Sequence, residues 1–427
     1  MDAKSPSSPA ETVGAQSPAA DSAPAKSKFT GYQKFVVGIL AFLQFTIILD
    51  FMILSPLGAI LLRELHITTR QFGAVVSVYA FSAGVSGLLA AGFADRFDRK
   101  KLLLFFYCGF VLGTFLCGIA GSYPFLLFAR VVTGLFGGVI GSISFAIITD
   151  LFPLQMRGRV MGVVQTAFAA SQVLGIPVGW ELAARWSWHA PFLLIAGCAV
   201  VVGIVIFLRL QPIDAHLKLA RDRTAVAHLL HTASQSRYLV GFSATMLLAT
   251  GGFMLMPFGS AFSINNLGIA PEKLSRVYFV TGVVSMIAGP LAGRLADAVG
   301  KYTVFCIGTV AAIGVVIYYT HLGVTPLWMV IVISCVMFVC VSARMISASA
   351  LASGIPAMPD RGAYMAINSS LQQFSGGVAA GLAGLIVVQS PGGRLEHYGL
   401  LGWVVAGVMS LTVVLMFNVH RMVRERP

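Results

Sequence analysis

Apolar runs of about 20 residues recur from one end of the chain to the other, each closed by a short cluster of charged residues, proline or glycine. Read at helical length, they predict six spans at 34–62, 70–94, 101–120, 124–149, 158–184 and 190–209. A polar stretch from Gln211 to Ser236 follows, and then six more at 237–265, 272–296, 301–320, 325–354, 361–390 and 397–420. Each run is long enough to cross the hydrocarbon layer of a bilayer as a helix at 1.5 Å per residue. The pattern therefore predicts an all-α membrane protein of twelve transmembrane helices.

Composition agrees with that pattern. Hydrophobic residues make up 57% of the 427 residues and charged residues only 11%, too few to cover a water-soluble surface. The formal charge of +13 raises the question of nucleic acid, but the basic residues sit in short loops between apolar runs and act on topology instead. With both termini cytoplasmic, about 21 Lys and Arg fall on cytoplasmic segments and about 6 on external ones, and the opposite orientation reverses the bias. Residues 1–33 are expected to be a disordered cytoplasmic tail, 210–236 a cytoplasmic central loop and 422–427 a second cytoplasmic tail; residues 34–209 and 237–421 are expected to be two six-helix bundles. The lipid bilayer and a small-molecule substrate are the expected partners, nucleic acid is not, and a monomer suffices for function.

The two halves carry matching punctuation. Asp95 in ADRFDRKK corresponds to Asp297 in ADAVGKY, and Arg157-Gly158 to Arg361-Gly362, at an offset of about 202–204 residues. Two repeats related by an axis along the membrane normal place a substrate site near the midplane between them.

With those residues in view, the chain resembles the major facilitator superfamily. The segment AGFADRFDRKKLL (91–103) is similar to the signature GxxxDRxGRRxxL, with Ala91 and Asp98 at its two glycine positions, and GRLADAVGK (293–301) echoes it in the second half. Arg130, Gly134 and Gly138 resemble the fourth-helix RxxxGxxxG pattern, with Thr133 where many members have Gln. Asp150-Leu-Phe-Pro153 followed by Arg157-Gly158 resembles the loop after the fourth helix, and GIPVG, containing Gly175, Pro177 and Gly179, resembles the fifth-helix antiporter motif. The resemblance covers residues 34–420 and points to the twelve-helix drug and metabolite:proton antiporter branch. It implies alternating access and export, no cofactor, a proton gradient as the energy source, a plasma-membrane location and a gating loop formed by Asp95, Arg96, Arg99, Asp150 and Asp297. Uptake by symport or uniport uses the same residues. A non-transporting membrane sensor stands as the alternative of another class, and a membrane enzyme as a weaker one, since HExxH and GxxxxGK[ST] are both missing from the chain. The six cysteines form no CxxC, and no metal site is expected.

Of the sixteen acidic residues only Asp50 lies well inside a span. A carboxylate at that depth is costly and marks a proton or substrate site by default. Arg130 is near enough in depth for its long side chain to reach it, so the pair is expected to be coupled, with Asp50 carrying the exchanged proton. Burial favours the neutral acid and a neighbouring guanidinium the carboxylate, a balance suited to switching. The alternative is a permanent ion pair that only fixes helix packing. Arg344, in the tenth span, has no deep carboxylate in its own half. Three readings stand open for it: contact with Asp50 across the cavity, binding of an anionic or strongly polar substrate, or snorkelling to the membrane surface. Gln165, Gln172, Asn368, Gln372 and Gln373 place amides in the fifth and eleventh spans, either to bind substrate hydroxyls or to join helices.

Overall fold

The computed structural model describes residues 29–214, 217, 225–357 and 360–424, with the side chains of 91, 92, 95, 154, 155, 225 and 226 left undescribed. In chain order the helices are α1 (Gly31–Glu64), α2 (Thr69–Phe93), α3 (Arg99–Gly118), α4 (Tyr123–Leu151), α5 (Leu154–Ala170), α6 (Ile176–Arg185), α7 (Ala190–Arg209) and α8 (Ala225–Ser234). They continue with α9 (Ser236–Phe253), α10 (Gly259–Asn265), α11 (Pro271–Val299), α12 (Lys301–Thr320), α13 (Leu327–Ala352), α14 (Arg361–Ile386) and α15 (Tyr398–Arg424). A two-stranded antiparallel hairpin, β1 (Val388–Gln389) with β2 (Leu395–Glu396), closes the turn between α14 and α15.

Local chemistry starts and bends these helices where the sequence changes character. Thr30 with Gln33 and Thr68 with Gln71 form reciprocal capping boxes at the starts of α1 and α2. The first span therefore begins at Gly31, three residues before the hydropathy pattern places it. Span five is α5 and α6 joined by a π turn over Ser171–Gly175. Pro177 has no N–H to give to the preceding turn, and the wider turn absorbs that loss. Span seven is α9 and α10, interrupted by the single 3₁₀ turn Met256–Phe258 around Pro257.

Eleven helical runs are long and apolar enough to cross a membrane. The remaining long helix, α14, is 26 residues but carries Asn368, Ser369, Ser370, Gln372, Gln373 and Ser375, which lower its hydropathy. One face of it packs on protein, while Met365, Val378, Leu382 and Leu385 are exposed on the other. Gly384 lies against the backbone of Thr69 and Gly73, and Gly377 against Ser77 and Ala80, so α14 packs along α2 of the other half. The short helix α8 falls inside the stretch read as a polar loop; ten residues are too short to register as a span.

The faces of the molecule differ. On the face opposite the chain termini, a single apolar core runs through both halves, from Leu49, Ile53 and Leu57 to Phe258, Phe262 and Leu401. On the face bearing the termini the core divides in two, one cluster of buried residues within 36–213 and another within 238–419, against which Leu88 of the first half packs. Hydrogen bonding follows the same division. Thr69 Oγ1 donates to the Val387 carbonyl (2.6 Å), Ser77 Oγ to the Gly377 carbonyl (2.7 Å), Ser260 Oγ to the Ser55 carbonyl (3.0 Å) and Trp180 Nε1 to the Pro271 carbonyl (2.9 Å). Ser55 Oγ also donates to the Met256 carbonyl and Ala59 N–H to Ser260 Oγ. All six bonds join the halves in the outer half of the spans. On the terminal side, Gly158, Gly162 and Gly362 have nothing within 4 Å of where a Cβ would stand. The halves thus share one core and these hydrogen bonds at the distal face, while at the terminal face each keeps a core of its own.

Candidate functional site

The sequence expectation for Asp50 and Arg130 is met in position. Arg130 Nη1 lies 2.8 Å from Asp50 Oδ2, and both residues are 0% exposed. Thr114 of α3 donates to the other carboxylate oxygen at 3.1 Å, and Arg130 Nη1 also approaches the Asp50 carbonyl at 3.4 Å. The guanidinium stacks 4.3 Å over the ring of Tyr79 from α2. Four helices therefore meet on one ion pair. Arg130 Nε and Nη2 have no hydrogen-bond partner among the described residues, so the pair is incompletely satisfied.

Glycine spacing sets this geometry. A Cβ at Gly134 would stand 2.5 Å from the Tyr79 carbonyl and one at Gly138 2.6 Å from Ala83, so α4 lies directly on α2 and Arg130 is brought under the Tyr79 ring. At Gly113 a Cβ would meet Thr133 at 2.6 Å, which brings α3 and its Thr114 up to Asp50. Thr133 folds its hydroxyl back onto the Ala129 carbonyl (2.7 Å) and stays small enough for that contact, which a Gln would crowd.

The GIPVG segment performs the same service from the other side. A Cβ at Gly175 would strike Leu49 at 2.5 Å and one at Gly179 would strike Ile53 at 2.3 Å, so span five clasps α1 on both sides of Asp50. Pro177 starts α6 between them. On its far side the π turn meets the second half, where a Cβ on Gly282 of α11 would stand 2.9 Å from the Gln172 carbonyl.

Arg344 lies elsewhere. It is fully buried in α13, and Nε, Nη1 and Nη2 find no hydrogen-bond partner among the described residues. Its Nη2 is 3.4 Å from where a Cβ on Gly251 of α9 would stand, beside Val408 and Met409 of α15. Two of the sequence readings are thereby corrected. The Asp50 carboxylate is occupied by Arg130 and Thr114, so Arg344 does not pair with it. Nor does its charged head rise to the surface, because the side chain turns into the helix bundle.

The amides are dispersed rather than convergent. Gln172 is buried at the π turn, Gln165 is exposed on α5, and Gln372 and Gln373 are half-buried on α14. Asn368 Oδ1 is buried without a partner.

In the gating loop, Arg99 Nε binds Asp150 Oδ2 at 3.0 Å and Arg99 Nη1 the Ala94 carbonyl at 3.1 Å, tying the start of α3 to the end of α4. Asp98, at a glycine position of the signature, caps α3 by accepting from Lys101 N–H (2.8 Å) and receives Ile213 N–H (2.8 Å) from the segment after α7. Arg96 is exposed, and the Asp95 side chain lies outside the described residues. Asp297 is exposed on the last turn of α11 and joins no ion pair among the described residues, so the repeat is kept in sequence but not in contact. In the second half Asp360 accepts from Tyr238 at 2.7 Å, just before Arg361-Gly362. Thr114, Tyr79 and Tyr238 are functional neighbours that the sequence pattern does not reveal. A single Thr or Tyr in an apolar run leaves no periodic signal.

Comparison with known proteins agrees with the fold. An uncharacterized MFS-type transporter of Bacillus subtilis, YceJ, is 27% identical over 259 residues, 61% of this chain and 66% of that protein. A probable sugar efflux transporter of Helicobacter acinonychis is 23% identical over 245 residues, 57% of this chain and 61% of that protein, so both alignments span less than two thirds of the relatives' length. The crystal structure of a D-xylose–proton symporter superposes with a TM-score of 0.72 at 16% identity, covering 90% of this chain and 97% of that one. The model of the Major Facilitator Superfamily matches residues 40–258 and 241–427, and the chain belongs to that family of membrane transporters.

Proposed function

We propose that the protein is a proton-coupled exporter of a small neutral or anionic organic molecule or drug, working by alternating access as a monomer in the plasma membrane with both termini cytoplasmic. The observation that carries this reading is the buried Asp50–Arg130 pair, held by four helices and left partly unsatisfied. A fixed structural pair gains most when its remaining donors are bonded; one with two open guanidinium nitrogens is poised to exchange partners. In this reading Asp50 takes a proton when the distal face is open, which frees Arg130 from the carboxylate. The halves then rock about the α2–α14 seam, and the proton leaves toward the cytoplasm while substrate enters from that side. The state open at the terminal face is the loading state. Arg99 and Asp150 brace the terminal end of the first half during the movement, with Asp95, Arg96 and Asp297 completing the loop. Gln165, Gln172, Asn368, Gln372 and Gln373 supply polar groups along the route, with Gly175, Pro177 and Gly179 keeping span five closed on α1.

Export is favoured by the name of the Helicobacter relative, a probable sugar efflux transporter. The second reading is uptake by symport, favoured by the likeness in fold to a D-xylose–proton symporter. Inverted and right-side-out vesicles loaded against a panel of drugs, sugars and organic acids separate the two. Export predicts accumulation in inverted vesicles that a protonophore abolishes. Accumulation confined to right-side-out vesicles overturns it.

A further inference from the structure

The two halves treat their buried arginines differently. In the first half Arg130 has a carboxylate on the first span, at Asp50. The repeat offset read from Asp95 and Asp297 carries position 50 to 252, and the contacts of Ser55 with Met256 and of Ala59 with Ser260 use an offset of 201 residues. Position 50 thus falls on Gly251-Gly252 of span seven. Arg344 reaches that place, its Nη2 standing 3.4 Å from the missing Gly251 side chain. The same offset carries Arg130 to Val332, so Arg344 is not its repeat counterpart; the second half places a buried cation of its own beside the position of the acid and supplies no acid there.

An arginine stays charged when buried, and an uncompensated guanidinium is among the costliest groups in a bundle. Part of its charge is offset by the C-terminal end of α9, which stops at Phe253 two residues beyond Gly251. No carboxylate among the described residues completes the balance. Of the ten buried side-chain polar atoms without a partner among the described residues, seven lie in this half: three on Arg344, with Ser347 Oγ, Tyr364 OH, Asn368 Oδ1 and Ser375 Oγ. Ser347 follows Arg344 by three residues and so shares its face of α13.

We propose that Arg344, with Gly251 and the Ser347 hydroxyl, is a receptor for the carboxylate of a monoanionic organic substrate. The proposal rests on the transporter reading above and names its substrate class. One buried cation balances one negative charge, whereas a phosphate dianion needs a second. The planar fork of the guanidinium matches the two oxygens of a carboxylate better than a spherical ion. Gly251 stands at the position the aspartate takes in the other half, and since a Cβ there would already touch Arg344, Val408 and Met409, the site admits a ligand only as α9 moves. The break in span seven at 254–258 supplies the hinge through which α9 moves away from α15 to admit the ligand.

The test uses the full chain in lipid nanodiscs, followed by intrinsic fluorescence during heating, with sodium acetate, butyrate and benzoate as probes and sodium chloride and benzamide as controls. At least one monocarboxylate raises the unfolding temperature and neither control does. Arg344→Gln weakens apparent affinity about tenfold or more. Gly251→Asp, which supplies the acid internally, melts higher without ligand and no longer responds, while Gly251→Ala separates charge from crowding by retaining a response. An equal shift with chloride means an adventitious ion only and overturns the proposal. So does a shift that survives Arg344→Gln, or the failure of every monocarboxylate to shift the wild type. No gradient is imposed, so an error in the proton-coupling reading leaves the carboxylate response intact in both wild type and Asp50→Asn.

Discussion

Arg130→Met lowers the stability of the folded protein by about 3–5 kcal/mol, because it removes the cation and leaves the Asp50 carboxylate buried without a charge partner. The substitution keeps the volume between α1, α2 and α4, so the loss is electrostatic rather than a cavity effect. Thr114 alone remains to hold the carboxylate. The second half of the cycle gives the result its meaning. Asp50→Asn combined with Arg130→Met is more stable than Arg130→Met alone, since the unpaired charge has gone. Thermal unfolding of the three variants in detergent measures both effects. If the double variant is no more stable than Arg130→Met, the residues are not coupled.

The second large effect lies at the seam between the halves. Gly384→Val pushes a branched side chain against the Thr69 carbonyl, which stands 2.8 Å from where even a Cβ would sit, and against the backbone of Gly73 and Arg70. Backbone cannot rotate aside as a flexible side chain does. The strain is about 1–3 kcal/mol, so the equilibrium between closed and parted distal faces moves about 5- to 150-fold toward the parted one. Labels at Arg70 and Gln389, read by electron-spin distance measurement, then show a longer population than in the wild type. An unchanged distance distribution contradicts the assignment of the distal end of this seam, around Gly384, to the distal closure.

Much of this was readable before any coordinates, and for identifiable reasons. Twenty-residue apolar runs cross a bilayer as helices, so most of the spans follow from hydropathy, while the two-half plan is read from the repeated punctuation at Asp95 and Asp297 and at Arg157 and Arg361. Asp50 and Arg130 stood out because charge inside such runs is rare, and their depth already made contact feasible. What escaped was set by neighbours in space. The π turn before Pro177 depends on how span five must bend between α1 and α11, and α8 is too short to declare itself. Asp98 reads as a departure from a signature glycine, yet it is a helix cap and an anchor for Ile213, a role visible only once the segment after α7 returns to it. Likewise, the side to which Arg344 turns is fixed by Gly251 and the helix behind it, not by the tenth span's own pattern.

The central claim is that Asp50 is the group through which a proton gradient drives transport. Its most direct measurement is flux of an identified substrate by Asp50→Asn in proteoliposomes, with and without an imposed pH gradient, beside the wild type. The account predicts that wild-type flux against a concentration gradient needs the pH gradient, while Asp50→Asn still exchanges substrate down its gradient but no longer responds to pH. An Asp50→Asn protein that keeps the wild-type response to the gradient contradicts it.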